Sequence, residues 1–278
     1  MASNLTQRTI TGLIGAAVML FAIVYSYNTL YVLAFLLQTL TVWECYQLFN
    51  KGEKQPFVIT GTLISVGYFI YLWYHPAYKH HTFPAYLLAG GFGLVWLQSL
   101  FSHRSNPIES MVYTVLPWIY ITIPFALLLE VPYLSTISYF KGYRYEIIIS
   151  IFFLIWANDI GAYFVGKSIG KHKLFERISP KKTWEGSIGG LLSAILIAIL
   201  LYSYWGLFSF TEWIGLTIIT VVFGSLGDLV ESQLKRVIGV KDSGTLLPGH
   251  GGFLDRFDAF LFALPFVYIY LQFLSRGL

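Results

Sequence analysis

A polar, glycine-rich stretch between two hydrophobic segments holds the residues best suited to chemistry. It reads SQLKRVIGVKDSGTLLPGHGGFLDRFD and covers residues 232 to 258. Asp255 and Asp258, near its end, are three residues apart and are therefore neighbours on a helix. Helical spacing also places carboxylates and an ammonium group on one face that begins four residues before the stretch and extends into it. That face consists of Asp228, Glu231, Ser232 and Lys235.

The types of these residues suit the binding of a metal ion together with phosphate. Carboxylates approach a basic, glycine-rich loop from both directions along the chain. Mg²⁺ takes one or two protein carboxylates and fills its other positions with substrate oxygens and water. The neighbouring lysines would hold the remaining phosphate charge, and the GHGG motif allows backbone to approach a ligand closely. The pattern therefore predicts a site for a divalent cation and a phosphate-bearing substrate.

The composition places this chemistry in a membrane protein. Of the 278 residues 56% are hydrophobic and 12% are charged, and the mean hydropathy is +0.65, which does not suit a water-soluble domain. A membrane-spanning helix needs about 20 largely apolar residues. The sequence predicts an all-α, polytopic integral membrane protein with about nine such helices. The predicted spans are residues 10–27, 30–49, 57–75, 83–101, 111–130, 145–166, 186–205, 211–230 and 257–275.

The basic residues predict a cytoplasmic amino terminus. With that orientation most of the 18 Lys and Arg residues face the cytoplasm, as the positive-inside rule requires. The opposite side receives only Lys79, Lys141, Arg144 and Arg276. We therefore expect a multi-pass protein of the inner (plasma) membrane whose polar loops face the cytoplasm. The first span is expected to be retained, since no A-x-A-like cleavage site follows it.

The remaining bulk features exclude other classes of protein. The pI near 9.0 is explained by cytoplasmic loops that face anionic lipid, so no nucleic-acid partner is expected. The single cysteine, Cys45, excludes an intrachain disulfide. No internal repeat or separate soluble domain is recognisable.

Four aspartates lie inside or at the edge of apolar segments, where an ionisable group is costly. At the centre of a membrane the cost is at least about 2.5 kcal/mol, so such a carboxylate is expected to face a partner or a watery cavity. The aspartates are Asp159, Asp228, Asp255 and Asp258, and together they imply a cation. The alternative is that they pair with neighbouring Lys and Arg residues and only hold helices together.

The segment GAYFVGKS, residues 161–168, fits the phosphate-loop pattern G-x-x-x-x-G-K-[ST]. A true phosphate loop follows a strand, whereas the apolar run before this segment is long enough to span a bilayer. We therefore interpret the segment as part of a helix. On that helix Asp159, Tyr163 and Gly166 share one face, which is suited to line a polar cavity.

The loop segment SPKKTWEG, residues 179–186, is suited to bind an anion. Hydroxyl and ammonium groups lie in a turn directly before the next helix, whose free amide groups add to the attraction. The groups belong to Ser179, Lys181, Lys182 and Thr183. For the preceding Lys167, Lys171 and Lys173, attraction to lipid headgroups is the simpler interpretation. The glycines that follow predict close helix packing, and they are Gly186, Gly189 and Gly190.

With these motifs together, the sequence resembles the bacterial phosphatidate cytidylyltransferases, also called CDP-diacylglycerol synthases. The segments NDIGAYFVGKSIGKHKL and ISPKKTWEG are similar to characteristic segments of that family, so the resemblance is close over residues 155–258. The first half of the chain resembles the family only as a set of spans. The residues that match the signature around the opening stretch are Ser232, Leu234, Lys235, Arg236, Lys241, Asp242, Gly244, Leu247, Pro248, His250, Gly251, Gly252, Phe253, Asp255, Arg256, Phe257 and Asp258.

The resemblance implies a membrane-embedded homodimer that makes CDP-diacylglycerol and pyrophosphate from CTP and phosphatidic acid. It implies that Asp228 and Asp255 hold an essential Mg²⁺ with Asp258 beside them, and that Lys235 helps to bind phosphate. These four are the expected catalytic residues. A second cation, such as K⁺, is compatible with this chemistry, because paired ions clamp the attacking and leaving oxygens.

Further residues are expected to contact substrate phosphate or to support the polar cavity. The phosphate candidates are Ser179, Lys181, Lys182, Ser232, Arg236, Lys241, His250 and Arg256, and the cavity candidates are Asn158 and Asp159. His250 is favoured for a structural or phosphate-contacting role, because the phosphatidate nucleophile is already ionised and needs no general base. Glu44, near the end of the second span, either lines the cavity or serves as a helix-capping or packing partner.

We expect residues 1–145 to form the lipid groove and scaffold, and residues 146–278 to form the catalytic region of one membrane-embedded unit. Two alternatives to the phosphatidate reaction stay open. The first is a related CTP transferase that acts on an isoprenoid lipid. The second is an ion-coupled transporter, against which stand the missing inverted repeat and the polar residues at the cytoplasmic edge.

Overall fold

Helices form almost all of the regular structure. The computed structural model describes residues 2–74, 82–134, 142–240, 243–244 and 251–275. Every predicted span coincides with a helix or a helical run. The helices are α1 (Ala2–Tyr25), α2 (Tyr27–Lys51), α3 (Val58–Tyr74), α4 (Thr82–Leu100), α5 (Pro107–Pro117), α6 (Ile123–Glu130), α7 (Tyr145–Ile169), α8 (Trp184–Trp205), α9 (Phe210–Ile238) and α10 (Leu254–Ser275).

Helices α5 and α6 form one run that is interrupted by a π-helical turn, Trp118–Thr122. The turn lies where two prolines disturb the α-helical hydrogen bonds. Pro124 has no N–H to donate to the carbonyl group of Tyr120, and its ring would collide with that carbonyl group in a regular α-helix. In the wider π-helical turn the backbone N–H of Ile123 donates to the carbonyl group of Trp118, five residues earlier.

The lengths and compositions of the helices identify a membrane protein. Within the described ranges six helical runs are long and apolar enough to cross a membrane, namely α2, the α5–α6 run, α7, α8, α9 and α10. Three shorter apolar helices lie within α1, α3 and α4. Large apolar side chains remain exposed on several of them, for example Leu13, Ile59 and Leu196, which suits a surface covered by lipid tails. The orientation of these helices and the number that span the membrane stay predictions.

The segment between α7 and α8 contains an antiparallel hairpin, so the prediction of an all-α fold is incomplete. Its strands are β1 (Lys173–Phe175) and β2 (Ser179–Thr183), with Lys173 opposite Thr183. Strands of three and five residues are too short to show a clear alternation of apolar and polar residues. Pro180 is tolerated because each strand of a two-stranded sheet has one unpaired edge.

The chain divides into two compact units. Unit one comprises Met1–Glu130 and Ile238–Arg256. Within it α2 contacts α1, α3, α5 and α6, and polar side chains connect it to its neighbours. The hydroxyl group of Tyr46 donates to the carbonyl group of Thr114 at 2.7 Å, and the amide group of Gln38 donates to the hydroxyl group of Thr122 at 3.1 Å. α2 is therefore buried on much of its surface.

Unit two comprises Val131–Val237 and Phe257–Leu278. In this unit glycines let α7 and α8 approach closely. A Cβ atom on Gly189 would lie 2.4 Å from Val165 Cγ2, and one on Gly190 would lie 2.5 Å from Asn158 Oδ1. A Cβ atom on Gly186 would also lie 2.9 Å from a carbonyl oxygen of α7. The predicted role of these glycines in helix packing is confirmed.

We predict that Gly189→Ala lowers the free energy of unfolding by about 1–3 kcal/mol, because the added methyl group overpacks the contact with Val165. Thermal unfolding in detergent measures the effect. Gly93→Ala is the matched control, since nothing lies within 4 Å of its added Cβ atom. The control should be neutral or stabilising by up to about 1 kcal/mol. Equal unfolding midpoints for the two variants would contradict the packing argument.

Candidate active site

An ion pair between the hairpin and α9 lies at the centre of the site in unit two. Lys182 Nζ lies 2.7 Å from Asp228 Oδ2, and it also donates to the carbonyl group of Ser225 at 3.4 Å. The residue after Lys182, Thr183, caps α8 by accepting a hydrogen bond from the backbone N–H of Gly186. The cap fixes the end of β2 and so positions Lys182. The side chains of Lys182 and Asp228 are 26% and 41% exposed, so the pair is accessible to water and to an anion.

The polar face of α9 forms as its spacing predicts. Ser232 Oγ donates to Asp228 Oδ1 at 3.4 Å, and Lys235 Nζ lies 2.5 Å from Glu231 Oε2 one turn away. Glu231 is only 1% exposed, so its charge requires a close cation. The helix ends at Ile238, and Gly239 follows with φ +81°, which favours glycine.

Asp258 faces the same cluster from α10. Gly227 permits the approach of α9 and α10, because a Cβ atom on it would lie 2.7 Å from the carbonyl oxygen of Asp258. The carboxylates of Asp258 and Asp228 are close enough to repel each other, while Lys182 and Lys235 attract Asp258. A cation near the two carboxylates would relieve their repulsion.

Asn158 and Asp159 on α7 also belong to this cluster. The carboxylate of Asp159 interacts electrostatically with Asp228 and Lys182. Asn158 is buried, and its Nδ2 donates to Asp159 Oδ1 at 3.4 Å and to Ser225 Oγ at 3.5 Å. Its Oδ1 is buried without a hydrogen-bond partner among the described residues. Unit two thus brings together carboxylates, lysines and a buried amide from four elements.

Asp255 is held within unit one. It lies in the first turn of α10, and its Oδ2 accepts hydrogen bonds from the backbone N–H groups of Gly252 at 3.0 Å and Ser243 at 3.1 Å. The preceding Gly251 has φ +88°, which lets the chain turn into the helix. These bonds fix the direction of the Asp255 carboxylate.

Glu44 on α2 binds the same segment of unit one. It is 2% exposed, and its carboxylate accepts the backbone N–H groups of Phe253 at 2.9 Å and Leu254 at 3.1 Å. It also accepts the hydroxyl group of Ser243 at 2.5 Å. The N–H groups of Phe253 and Leu254 are free amide groups at the start of α10, where a negative charge is favourable. Of the two interpretations that the sequence left open, the structure supports helix capping.

The other predicted site residues lie in several places. Ser179 and Lys181 lie on β2, where Lys181 is exposed. Arg236 is exposed in the last turn of α9, and Arg256 is exposed in the first turn of α10. Lys241 and His250 lie outside the described residues. The phosphate-binding roles of all these residues stay predictions.

The described residues do not form a metal site by protein ligands alone. Among them, no group of three or more His, Cys, Asp and Glu side chains could hold a metal ion. Mg²⁺ does not require such a group, because substrate phosphates and water complete its coordination. The repulsion between Asp228 and Asp258 suits a cation of this kind. The assignment of Asp228, Asp255 and Asp258 as magnesium ligands stays a prediction.

Comparison with known proteins adds to this geometry. A model of the "Cytidylyltransferase family" matches residues 6–274, nearly the whole chain. The chain belongs to the cytidylyltransferase family. The resemblance predicted from the motifs is thereby confirmed.

Curated members of the cytidylyltransferase family are similar to about half of this chain. Phosphatidate cytidylyltransferase of Staphylococcus aureus (strain COL) is 51% identical over 133 residues, which is 47% of this chain and 50% of the relative. The protein of the same name from Bacillus subtilis (strain 168) is 53% identical over 123 residues, 44% and 46% of the two chains. The protein of that name from Staphylococcus haemolyticus (strain JCSC1435) is 52% identical over 126 residues, which is 45% of this chain and 48% of the relative. The aligned part therefore spans about half the length of these relatives.

Two residues of this cytidylyltransferase-family chain contact the site without having been foreseen from its sequence. Ser225 contacts both Asn158 and Lys182, and the backbone of Ser243 contacts Asp255. Ser225 lies three residues before Asp228 and so on the same helix face, which was a usable signal. Ser243 gave no such signal, because its described partners Asp255 and Glu44 are 12 and 199 residues away in the sequence.

We predict that Lys182→Gln changes the free energy of unfolding by no more than about 1 kcal/mol, because a water-accessible ion pair contributes little. Thermal unfolding of the purified protein measures this, and Lys173→Gln, an exposed lysine of β1, is the control. A loss of several kcal/mol in Lys182→Gln alone would show that the pair holds the fold together. A small change means that a loss of activity in this variant reports on chemistry.

Proposed function

We propose that this chain transfers the cytidylyl group of CTP to phosphatidic acid and produces CDP-diacylglycerol and pyrophosphate. The identity of about 50% to proteins named phosphatidate cytidylyltransferase carries the proposal. The cluster of Lys182, Asp228 and Asp258 supports it, because phosphoryl-type transfer requires cations and carboxylates in one place. We place the protein in the inner membrane, with the site facing the cytoplasm, and we propose that it acts as a homodimer.

The reaction is an in-line displacement at phosphorus. An oxygen of the phosphatidate phosphate attacks the α-phosphorus of CTP and forms the new phosphoanhydride bond. The bond from the α-phosphorus to the bridging oxygen of the β-phosphate breaks, and pyrophosphate leaves with the electron pair. No proton transfer is obligatory, because the attacking oxygen is already ionised. The protein's task is to position two anions and to stabilise the charge that moves onto pyrophosphate.

Lys182 is the main candidate for contact with a substrate phosphate. Its ion pair with Asp228 is accessible to water, so exchanging this partner for a phosphate oxygen costs little. Lys235 is more tightly held, because its partner Glu231 is buried, and this pairing keeps its ammonium group directed along the α9 face. Lys235 is therefore suited to hold a positive charge at a fixed position for a substrate phosphate.

The carboxylates of the cluster, Asp228 and Asp258, suit a magnesium ion and are proposed as its ligands. The resemblance to the family adds Asp255 as a further proposed ligand. Bound Mg²⁺ would supply charge neutralisation on the triphosphate. Asp228 also orients Lys182, and Asp159 adds negative charge beside both. Asn158 is proposed to support the cavity, because its amide group donates to Asp159 and Ser225.

We predict that purified protein transfers label from α-phosphate-labelled CTP into organic-soluble lipid in the presence of phosphatidic acid and Mg²⁺. The transfer should disappear with a chelator and in Asp228→Asn, which removes a charge from the cluster but keeps its shape. Lys173→Gln should retain wild-type transfer. Thin-layer separation of the labelled lipid identifies the product.

The same labelling assay tests both the identity of the lipid acceptor and the assignment as a transferase. If folded wild-type protein labels an isoprenoid phosphate but not phosphatidic acid, the acceptor assignment is wrong and the transferase class survives. If it labels neither lipid, the proposed function fails, and cation transport in proteoliposomes is the next assay.

We predict that Lys182→Gln and Lys235→Gln each reduce kcat/KM for CTP by about 10²–10³-fold, because each removes one charged donor to the developing negative charge. Lys235→Gln also takes this cation from the buried Glu231, so its kinetics are compared only on protein that thermal unfolding shows to be folded. Steady-state kinetics at fixed phosphatidate measures the change. The reduction should exceed that in Lys173→Gln by at least about tenfold. Similar values for all three variants would mean that the lysines act only through the general surface charge.

A further inference from the structure

We propose that Glu44 is a positioning residue of the active site, whose buried carboxylate fixes the segment that orients Asp255. The inference rests on the proposed function and deepens it, since Asp255 is one of the proposed magnesium ligands. All the contacts that carry it lie within unit one.

The burial of Glu44 makes its hydrogen bonds important for stability. A carboxylate that is 2% exposed is costly unless donors satisfy its oxygens. Glu44 meets this requirement with three donors. Oε1 accepts the Ser243 hydroxyl group and the Leu254 N–H, and Oε2 accepts the Phe253 N–H. Hydrogen bonds to a charged acceptor are short and strong, so the segment is tied firmly to α2.

Two glycines of the opening stretch make room for Glu44. A Cβ atom on Gly244 would lie 2.7 Å from the Glu44 carboxyl carbon, and one on Gly252 would lie 2.0 Å from Glu44 Oε1. The latter would also lie 2.1 Å from Ser243 Oγ. The sequence suggested that the GHGG motif admits a ligand. In the structure Gly252 admits this carboxylate of the protein itself.

Glu44 and Asp255 share the donors of one short segment. The hydroxyl group of Ser243 donates to Glu44, whereas its backbone N–H donates to Asp255. Of three successive backbone N–H groups, that of Gly252 donates to Asp255 and those of Phe253 and Leu254 donate to Glu44. A shift of the segment away from Glu44 would therefore also move the donors that set the direction of Asp255.

Every described hydrogen-bond partner of Glu44 is a donor. In Glu44→Gln the shape is kept but one oxygen becomes an NH₂ group. That group would face either the Phe253 N–H or the donors at the other oxygen. Two donors that face each other in a buried place leave their N–H groups without an acceptor, and each such group lowers the stability by about 1–3 kcal/mol.

Hydrogen exchange in the purified full-length protein, without Mg²⁺ or CTP, tests the structural step. In Glu44→Gln the amides of Phe253 and Leu254 should exchange at least about tenfold faster, which corresponds to about 1.4 kcal/mol of lost protection. The amides of Ser243 and Gly252, which donate to Asp255, should accelerate as well. A residue that only caps α10 would leave these two amides unchanged, and that result would overturn the proposal.

Glu109→Gln is the matched control. Glu109 pairs with Lys54 at 2.7 Å, and this hydrogen bond raises the pKa of Lys54. The control removes the same charge in the same unit, and it should leave exchange at residues 243 and 252–254 at the wild-type rate. Ser243→Ala removes a single donor to Glu44 and should show the same pattern as Glu44→Gln with smaller changes. It serves as the second variant if Glu44→Gln folds poorly.

Kinetics separates positioning from stability. In Glu44→Gln the Mg²⁺ concentration for half-maximal transfer should rise at least about fivefold, while KM for phosphatidate stays unchanged. Wild-type Mg²⁺ dependence in Glu44→Gln would overturn the proposal. If the wild-type protein transfers no cytidylyl group, the proposed function fails, and exchange at Ser243 and Gly252 still decides whether Glu44 orients Asp255.

Discussion

A carboxylate removed from water must be matched by donors or by a cation, and this constraint shapes both units of the protein. In unit one the matching is done by backbone, because Glu44 and Asp255 accept N–H groups at the start of α10. In unit two Lys235 does it for the buried Glu231, whereas the ion pair of Lys182 with Asp228 stays accessible to water. The two solutions have different consequences. Backbone donors fix a carboxylate in place, whereas a lysine on an accessible pair can exchange its partner for a phosphate oxygen.

The close approach of helices is the second requirement of such a site. Short polar side chains reach each other only where backbones are near, and glycines provide this nearness between α7 and α8 and between α9 and α10. Gly190 lies against Asn158, and Gly227 lies against the backbone of Asp258. Packing and chemistry are therefore coupled, because the same small residues that let helices associate in a membrane bring the polar side chains together.

Much of this arrangement could be predicted from the sequence, because the signals are local. Runs of apolar residues located the α-helices of the described residues, and the spacing of Asp228, Ser232 and Lys235 predicted the polar face of α9. The structure also confirms the helical interpretation of residues 161–168. The hairpin was missed because strands this short carry little periodicity. The cap on α10 could not be settled, since Glu44 and Phe253 are 209 residues apart and no local pattern connects them.

The separation of Glu44 from its donors also affects how the chain is made. At a synthesis rate of about 5–20 residues per second, roughly 10–40 s pass between the appearance of Glu44 and that of Phe253. During this interval α2 carries an acidic group whose final donors do not yet exist. The group must find other donors or stay in contact with water until Ser243, Phe253 and Leu254 have been synthesised. The hydrogen bonds of Glu44 are consequently completed late in synthesis, whereas the partners of α2 in helix packing, α1, α3, α5 and α6, are all present once residue 130 has been added.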